Sequence, residues 1–122
     1  MKKVIIYSII LLIGHVSFAQ DTELTQFFFI RHAEKMKKEE DPALTKMGEK
    51  RAVYWSEVFK NIEFAAIYST QTKRTISTAL LTAKQQKLEP IIYQTKTIDL
   101  KELAERYQGQ KILIVGHSNT IP

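Results

Sequence analysis

Two short stretches of this sequence end an apolar run on a histidine: FFFIRH, closing at His32, and KILIVGH, closing at His117. A neutral imidazole is a nucleophile, a general base or a metal ligand, and a protonated one donates to anions. Arg31 directly precedes His32, and Arg74 stands in STQTKRTISTA, just after a third apolar run, AAIYS. Guanidinium groups present forked N–H donors that match phosphate or carboxylate. Taken singly, each residue has an ordinary explanation. A histidine after a strand is commonly a hydrogen-bonded structural residue, and an arginine in a first helical turn is a solvated charge. Taken together, two histidines and two arginines on one rim make a site for a dense anion, with phosphate the foremost candidate. A metal centre is the competing chemistry for paired histidines. Zinc and iron sites, however, want a third or fourth Cys, His or carboxylate ligand, and nearby arginines repel a cation.

The elements that must position these residues follow from the apolar pattern. Phe27–Ile30, an unbroken apolar run, reads as a strand buried on both faces. Leu44–Phe59 reads as a helix capped by Thr45, with Ala52, Trp55, Val58 and Phe59 on its apolar face. Ala65–Ser69 is a second strand. Arg74–Lys87 is a helix with Ile76, Leu80, Leu81 and Ala83 inward, and Ile91–Tyr93 is a short third strand after Pro90. Asp99 and Glu102, spaced as in a capping box, open a helix that reaches Tyr107; Gly109 ends it, and Lys111–Val115 is a fourth strand. This alternation predicts an α/β fold, a three-layer sandwich with a mostly parallel central sheet, helices on both faces and right-handed crossovers. In such sheets ligands bind beyond the carboxyl ends of the strands. Arg31, His32 and His117 all fall there, and Arg74 opens a helix on the same edge.

The 122 residues fit one domain, and 44% hydrophobic with 25% charged content is that of a soluble globular protein. The first 19 residues stand apart. Lys2 and Lys3 precede an apolar stretch from Val4 to Ile13, and Ser17 and Ala19 place small residues before a cleavage point at Gln20. The expected organisation is a signal peptide over residues 1–19 and a domain over 20–122. The domain is then exported to the periplasm or the outside, without stable membrane insertion after cleavage. The apolar stretch is also shorter than the roughly 20 residues of a bilayer span. Residues 20–122 carry 16 Lys/Arg against 13 Asp/Glu. The basic run Lys35-Met36-Lys37-Lys38 is answered at once by Glu39, Glu40 and Asp41, so a solvated loop is expected and nucleic acid is not. The chain has no cysteine, which removes disulfide and thiolate chemistry.

Four blocks, RHAEK, LTKMGEKRA, YSTQTKRTISTA and VGHSNTIP, together resemble the histidine phosphatase superfamily, the phosphoglycerate mutase-like fold, in order and spacing. The resemblance implies His32 as the nucleophile that takes the phosphoryl group, with Arg31, Arg74 and His117 completing the phosphate pocket. It also implies a two-step hydrolysis of a small phosphorylated substrate without metal or cofactor. Ser118 and Asn119 are candidates for extra donors at the pocket edge, or for capping residues. Thr45, Gly48 and Arg51 read as a cap, a close contact and a surface charge. Relatives often draw a carboxylate from the region after the third strand to protonate the leaving oxygen. Asp99 is the best-placed candidate and Glu34 the second, although Asp99 also reads as a plain N-cap.

Two features depart from the family pattern. Ala33 follows the Arg-His pair where Gly is frequent, as in a subgroup that includes phosphohistidine phosphatases, a change expected to shift substrate rather than chemistry. Members usually continue past the second-histidine motif, so a sequence ending at Pro122 reads as C-terminally truncated. Between Ser69 and Ile91 there is room for one crossover helix and none for the lid of the mutases. The expected function is therefore a small exported phosphatase acting on phosphomonoesters. The alternatives are a noncatalytic phosphate-binding or interaction module on the same fold, or a phosphohistidine phosphatase or mutase-like relative.

Overall fold

A run such as Ile112-Leu113-Ile114-Val115 is at home only where a strand is covered on both faces. The computed structural model of the chain describes residues 23–119, and there these four side chains are at most 2% exposed. The elements in chain order are β1 (Gln26–Arg31), α1 (Lys46–Val58), β2 (Ala66–Thr70), α2 (Lys73–Gln85), β3 (Ile91–Tyr93), α3 (Leu100–Arg106) and β4 (Lys111–Gly116). The sheet runs β1-β4-β2-β3 with every pair parallel. Strand β4 is central, and its side chains alternate. Leu113 and Val115 join Ile67, Ala79, Ala83 and Phe59 beneath α1 and α2, whereas Ile112 and Ile114 join Ala66, Tyr68 and Leu103 beneath α3. The result is the three-layer sandwich expected from the element order. The signal expected over residues 1–19 lies outside the described residues.

Three expectations about burial need correction. Phe27, Phe28 and Phe29 are half-buried rather than fully buried, and only Ile30 of that run is enclosed. Among the described residues β1 pairs with β4 alone, so it is an edge strand. Its faces are nonetheless both apolar: Phe28 packs edge-on against Phe59 and Phe64, and Phe27 and Phe29 pack on the opposite cluster. On α1, Val58 is exposed and Ser56 takes the buried position, with its hydroxyl donating to the Val53 carbonyl at 2.6 Å. On α2 the buried face is Thr75, Thr78, Ala79, Thr82 and Ala83; Leu80 is exposed, and Ile76 and Leu81 are half-buried. Small side chains let this helix approach the sheet closely. The threonines tolerate burial because their hydroxyls are paired; Thr75 donates to the Thr70 carbonyl at 2.8 Å and Thr78 to that of Arg74 at 2.6 Å.

The start of α1 is locked onto the segment that follows His32. Thr45 caps the helix, its side chain accepting from Gly48 N at 3.0 Å, and its own N–H donates to the Glu34 carbonyl at 2.8 Å. Gly48 must be glycine there, since a Cβ would lie 2.2 Å from that same carbonyl oxygen. Alanine normally gains about 1 kcal/mol over glycine inside a helix. Here the sign reverses: Gly48→Ala is expected to destabilise the fold by about 1–3 kcal/mol through overpacking, read from denaturant unfolding.

Candidate active site

The register of the sheet brings the two histidines together. Arg31 is the partner of Gly116 in the β1–β4 pair, and the His32 N–H donates to the Gly116 carbonyl at 2.9 Å. His32 and His117 therefore leave adjacent strands at the same level, with ring centroids 5.4 Å apart. On the other side of β4, strand β2 ends at Thr70, and the turn into α2 delivers Arg74. Helix α2 is capped by Thr72, whose hydroxyl accepts from Thr75 N.

The tautomer of His32 is set by its own backbone. Nδ1 lies 2.7 Å from the Ala33 carbonyl oxygen, an acceptor only, so Nδ1 carries the proton and Nε2 keeps its lone pair. Ala33 is held through its preceding peptide as well. Its N–H donates to Thr78 Oγ1 at 2.9 Å, and that hydroxyl donates to the Arg74 carbonyl at 2.6 Å. One buried hydroxyl thus ties the His32 loop to the helix that carries Arg74. Ala33 is itself only 2% exposed, which leaves no room for a larger side chain.

His117 is oriented by Thr70 and Arg74. An arginine can only donate, so the long contact from Arg74 Nη2 to Nδ1, at 3.4 Å, assigns Nδ1 as acceptor. Nε2–H then donates to Thr70 Oγ1 at 2.9 Å, and Thr70 passes its own proton to Thr75 Oγ1 at 2.9 Å. Burial holds both imidazoles below the ordinary histidine range. The charges of Arg74 and Arg31 add to this, against the Ala33 hydrogen bond at His32. Burial thus favours the neutral form of both rings. Arg74 Nε is buried without a hydrogen-bond partner among the described residues. Its Nη1 is 3.9 Å from Asp41 Oδ1, which also accepts from Lys73 N. A buried donor left unpaired is costly, and an oxyanion supplied from the pocket would satisfy it.

These groups line an open hollow of about 510 Å³, and Ser118 and Asn119 line it as well. Arg31, His32, Arg74 and His117 converge as the spacing predicts. Of the two carboxylates, Glu34 lines a neighbouring hollow together with Arg31 and His32, and Asp99 lies farther along the rim. Asp99 caps α3, with Oδ1 accepting from Lys101 N and Glu102 N at 2.9 and 3.2 Å, and it lines an adjoining hollow that shares Tyr93 and Gln94 with this one. Glu34 pairs with Arg51, taking Nε at 2.7 and 2.9 Å; that hydrogen bond lowers its pKa and keeps it ionised. Arg51 is thus the partner of Glu34 rather than an unattached surface charge. Sequence reasoning missed Thr70, Thr78, Gln71 and the Tyr93-Gln94-Thr95 segment of the rim. The signal for Thr78 was present, since it follows Arg74 by one helical turn. Among the described residues no group of three or more His, Cys, Asp or Glu is gathered as a metal site.

Comparison with known proteins agrees with this fold. The family model of the histidine phosphatase superfamily, branch 1, matches residues 27–96. A phosphoglycerate mutase from Bacillus anthracis superposes over 82% of this chain and 78% of its own, with a TM-score of 0.70 at 15% identity. A phosphoserine phosphatase from Entamoeba histolytica, solved with 3-phosphoglyceric acid, covers 77% of this chain and 74% of its own, with a TM-score of 0.60 at 19% identity. At these identities the likeness is one of fold. Against a mycobacterial glucosyl-3-phosphoglycerate phosphatase, 22% identical with a TM-score of 0.49, the match covers 55% of this chain and about a third, 35%, of that protein's length. No curated protein matches the chain in sequence.

The Thr78 bridge is directly testable. Thr78→Val keeps the shape but leaves the Ala33 N–H without its acceptor, at an expected cost of about 1–3 kcal/mol in stability. Vanadate binding, followed by calorimetry, is expected to weaken in parallel, and Thr78→Ser to restore both.

Proposed function

The chain belongs to the histidine phosphatase superfamily, branch 1, and from that premise we propose that it is an exported phosphatase acting on small phosphomonoesters. The phosphoryl group passes through His32 without a metal. The observation that carries this reading is the 2.7 Å hydrogen bond from Nδ1–H of His32 to the Ala33 carbonyl, which presents a neutral ring with Nε2 available. Arg31 and Arg74 take the equatorial phosphate oxygens and hold phosphorus in line with Nε2. An anion in the pocket also favours the imidazolium form of His117, which then donates where negative charge builds up. Attack of Nε2 forms the N–P bond as the bond to the leaving oxygen breaks. Water then attacks phosphorus, and the N–P electron pair returns to Nε2. Two arginines beside the histidines make the pocket one for anions rather than for a cation. The lysine-led apolar segment with small residues before Gln20 supports export of residues 20–122.

Turnover of an aryl phosphate is expected to fall by at least about three orders of magnitude in His32→Ala, given what removing a nucleophile costs, and to be unchanged by a chelator. A folded protein that binds phosphate yet neither turns over nor loses anything on that substitution would be a binding module instead. The pH profile is a second check. Because burial lowers the pKa of His32, its nucleophilic form persists below the ordinary value of 6.5. The acid limb of kcat/KM, which reports the free enzyme, is therefore expected below 6.5.

A further inference from the structure

His32 is held through Nδ1, whereas His117 is held through its other nitrogen, by a chain of hydroxyls whose direction can be read from the backbone. Thr75 Oγ1 gives its one proton to carbonyls, that of Thr70 at 2.8 Å and that of Thr72 at 3.1 Å. Toward its neighbours it is therefore an acceptor, taking the Thr70 hydroxyl at 2.9 Å and the Thr72 hydroxyl at 2.7 Å. The proton of Thr70 is thereby committed to Thr75, and its oxygen meets Nε2 of His117 as an acceptor at 2.9 Å. Thr75 is 0% exposed and Thr70 6%, so bulk water does not compete along this chain. Across the ring, Nδ1 lies 3.4 Å from Nη2 of Arg74, and both residues line the hollow with Arg31 and His32.

Resting on the phosphatase reading above, we infer that the two histidines meet the phosphoryl group through opposite ring nitrogens, Nε2 of His32 and Nδ1 of His117, and that Thr75 is the positioning residue that enforces the second. Each neutral ring keeps its proton on the nitrogen turned away from the phosphate. Thr75 does not line the hollow and acts through Thr70. With Thr70 held as an acceptor, Nε2–H of His117 stays in place, and a proton taken up from solvent on phosphate binding goes to Nδ1. Nδ1–H then donates to a nonbridging phosphoryl oxygen beside the Arg74 guanidinium, and no bond to phosphorus forms at His117. Without the Thr75 hydroxyl, the Thr70 O–H turns and donates to Nε2 instead. The neutral ring then carries its proton on Nδ1, and the imidazolium form loses the acceptor for Nε2–H.

The test reads the tautomers by two-bond proton–nitrogen NMR of the full chain with ¹⁵N-labelled histidine, without substrate and at mildly alkaline pH. The wild-type chain is expected to show Nδ1–H for His32 and Nε2–H for His117; Nδ1–H for His117 overturns the assignment. In Thr75→Val, His117 is expected to shift toward Nδ1–H while His32 stays unchanged, and Thr75→Ser to restore the wild-type pattern. Turnover of 4-nitrophenyl phosphate by Thr75→Val is expected to fall about tenfold in kcat with a smaller change in KM, the loss of one hydrogen bond in the transition state. A folded Thr75→Val with an unshifted His117, or with a shifted His117 and undiminished kcat, overturns the role given to Thr75. Should that variant not fold, Thr70→Val at the strand end carries the same expectations and the same refutations. A wild-type chain whose His32 takes no acid-quench label from 4-nitrophenyl phosphate overturns the phosphatase reading itself, an outcome separate from the substrate-free spectrum.

Discussion

A histidine attacks phosphorus only from a ring nitrogen that keeps its lone pair, so the other nitrogen must hold the proton and be kept from turning. In this chain that constraint is met locally, by the hydrogen bond from Nδ1–H of His32 to the carbonyl of the next residue. The rest of the site is arranged around the peptide that provides it. The N–H of the same residue, Ala33, is fixed by Thr78, Thr78 is fixed to Arg74, and the N–H of His32 is fixed to Gly116 just before the second histidine. Three elements, β1, β4 and α2, are thereby joined at one point. An error in any of them would displace His32 and Arg74 together.

Burial, aided by the charges of Arg74 and Arg31, disfavours the imidazolium form of both histidines. The buried Arg74 Nε has no hydrogen-bond partner among the described residues, and an acceptor beside it would offset its desolvation cost. On the proposed reading, a bound phosphate would offset both effects and couple its binding to proton uptake at His117.

Much of this was legible in the residues themselves. Strand positions followed from apolar runs bounded by turns, and all four were placed within about one residue at each end, the usual ambiguity of element ends. Thr45 and Asp99 announced helix starts because their side chains satisfy N–H groups that no carbonyl in the helix can reach. The convergence of Arg31, His32, Arg74 and His117 was legible because each follows the carboxyl end of a strand in a parallel sheet. What was hidden depended on tertiary partners. The threonine face of α2 looks polar until its hydroxyls find carbonyls, and Leu80 looks inward until close packing against the sheet excludes it. The half-burial of Phe27–Phe29 depends on β1 lying at the edge of the described sheet, and strand order leaves no mark on local periodicity. Asp99 drew attention as a carboxylate after the third strand, but a capping carboxylate is occupied by the helix it starts.

The central claim, that His32 is the nucleophile through Nε2, rests on a ring held by Nδ1, and the chemistry of the intermediate reports it directly. Phosphorus–nitrogen NMR of the base-stabilised phosphoenzyme, with ¹⁵N-labelled histidine, distinguishes the two ring nitrogens. The account predicts phosphorus on Nε2 of His32 and none on His117. Phosphorus on Nδ1 of His32, or on His117, would contradict it.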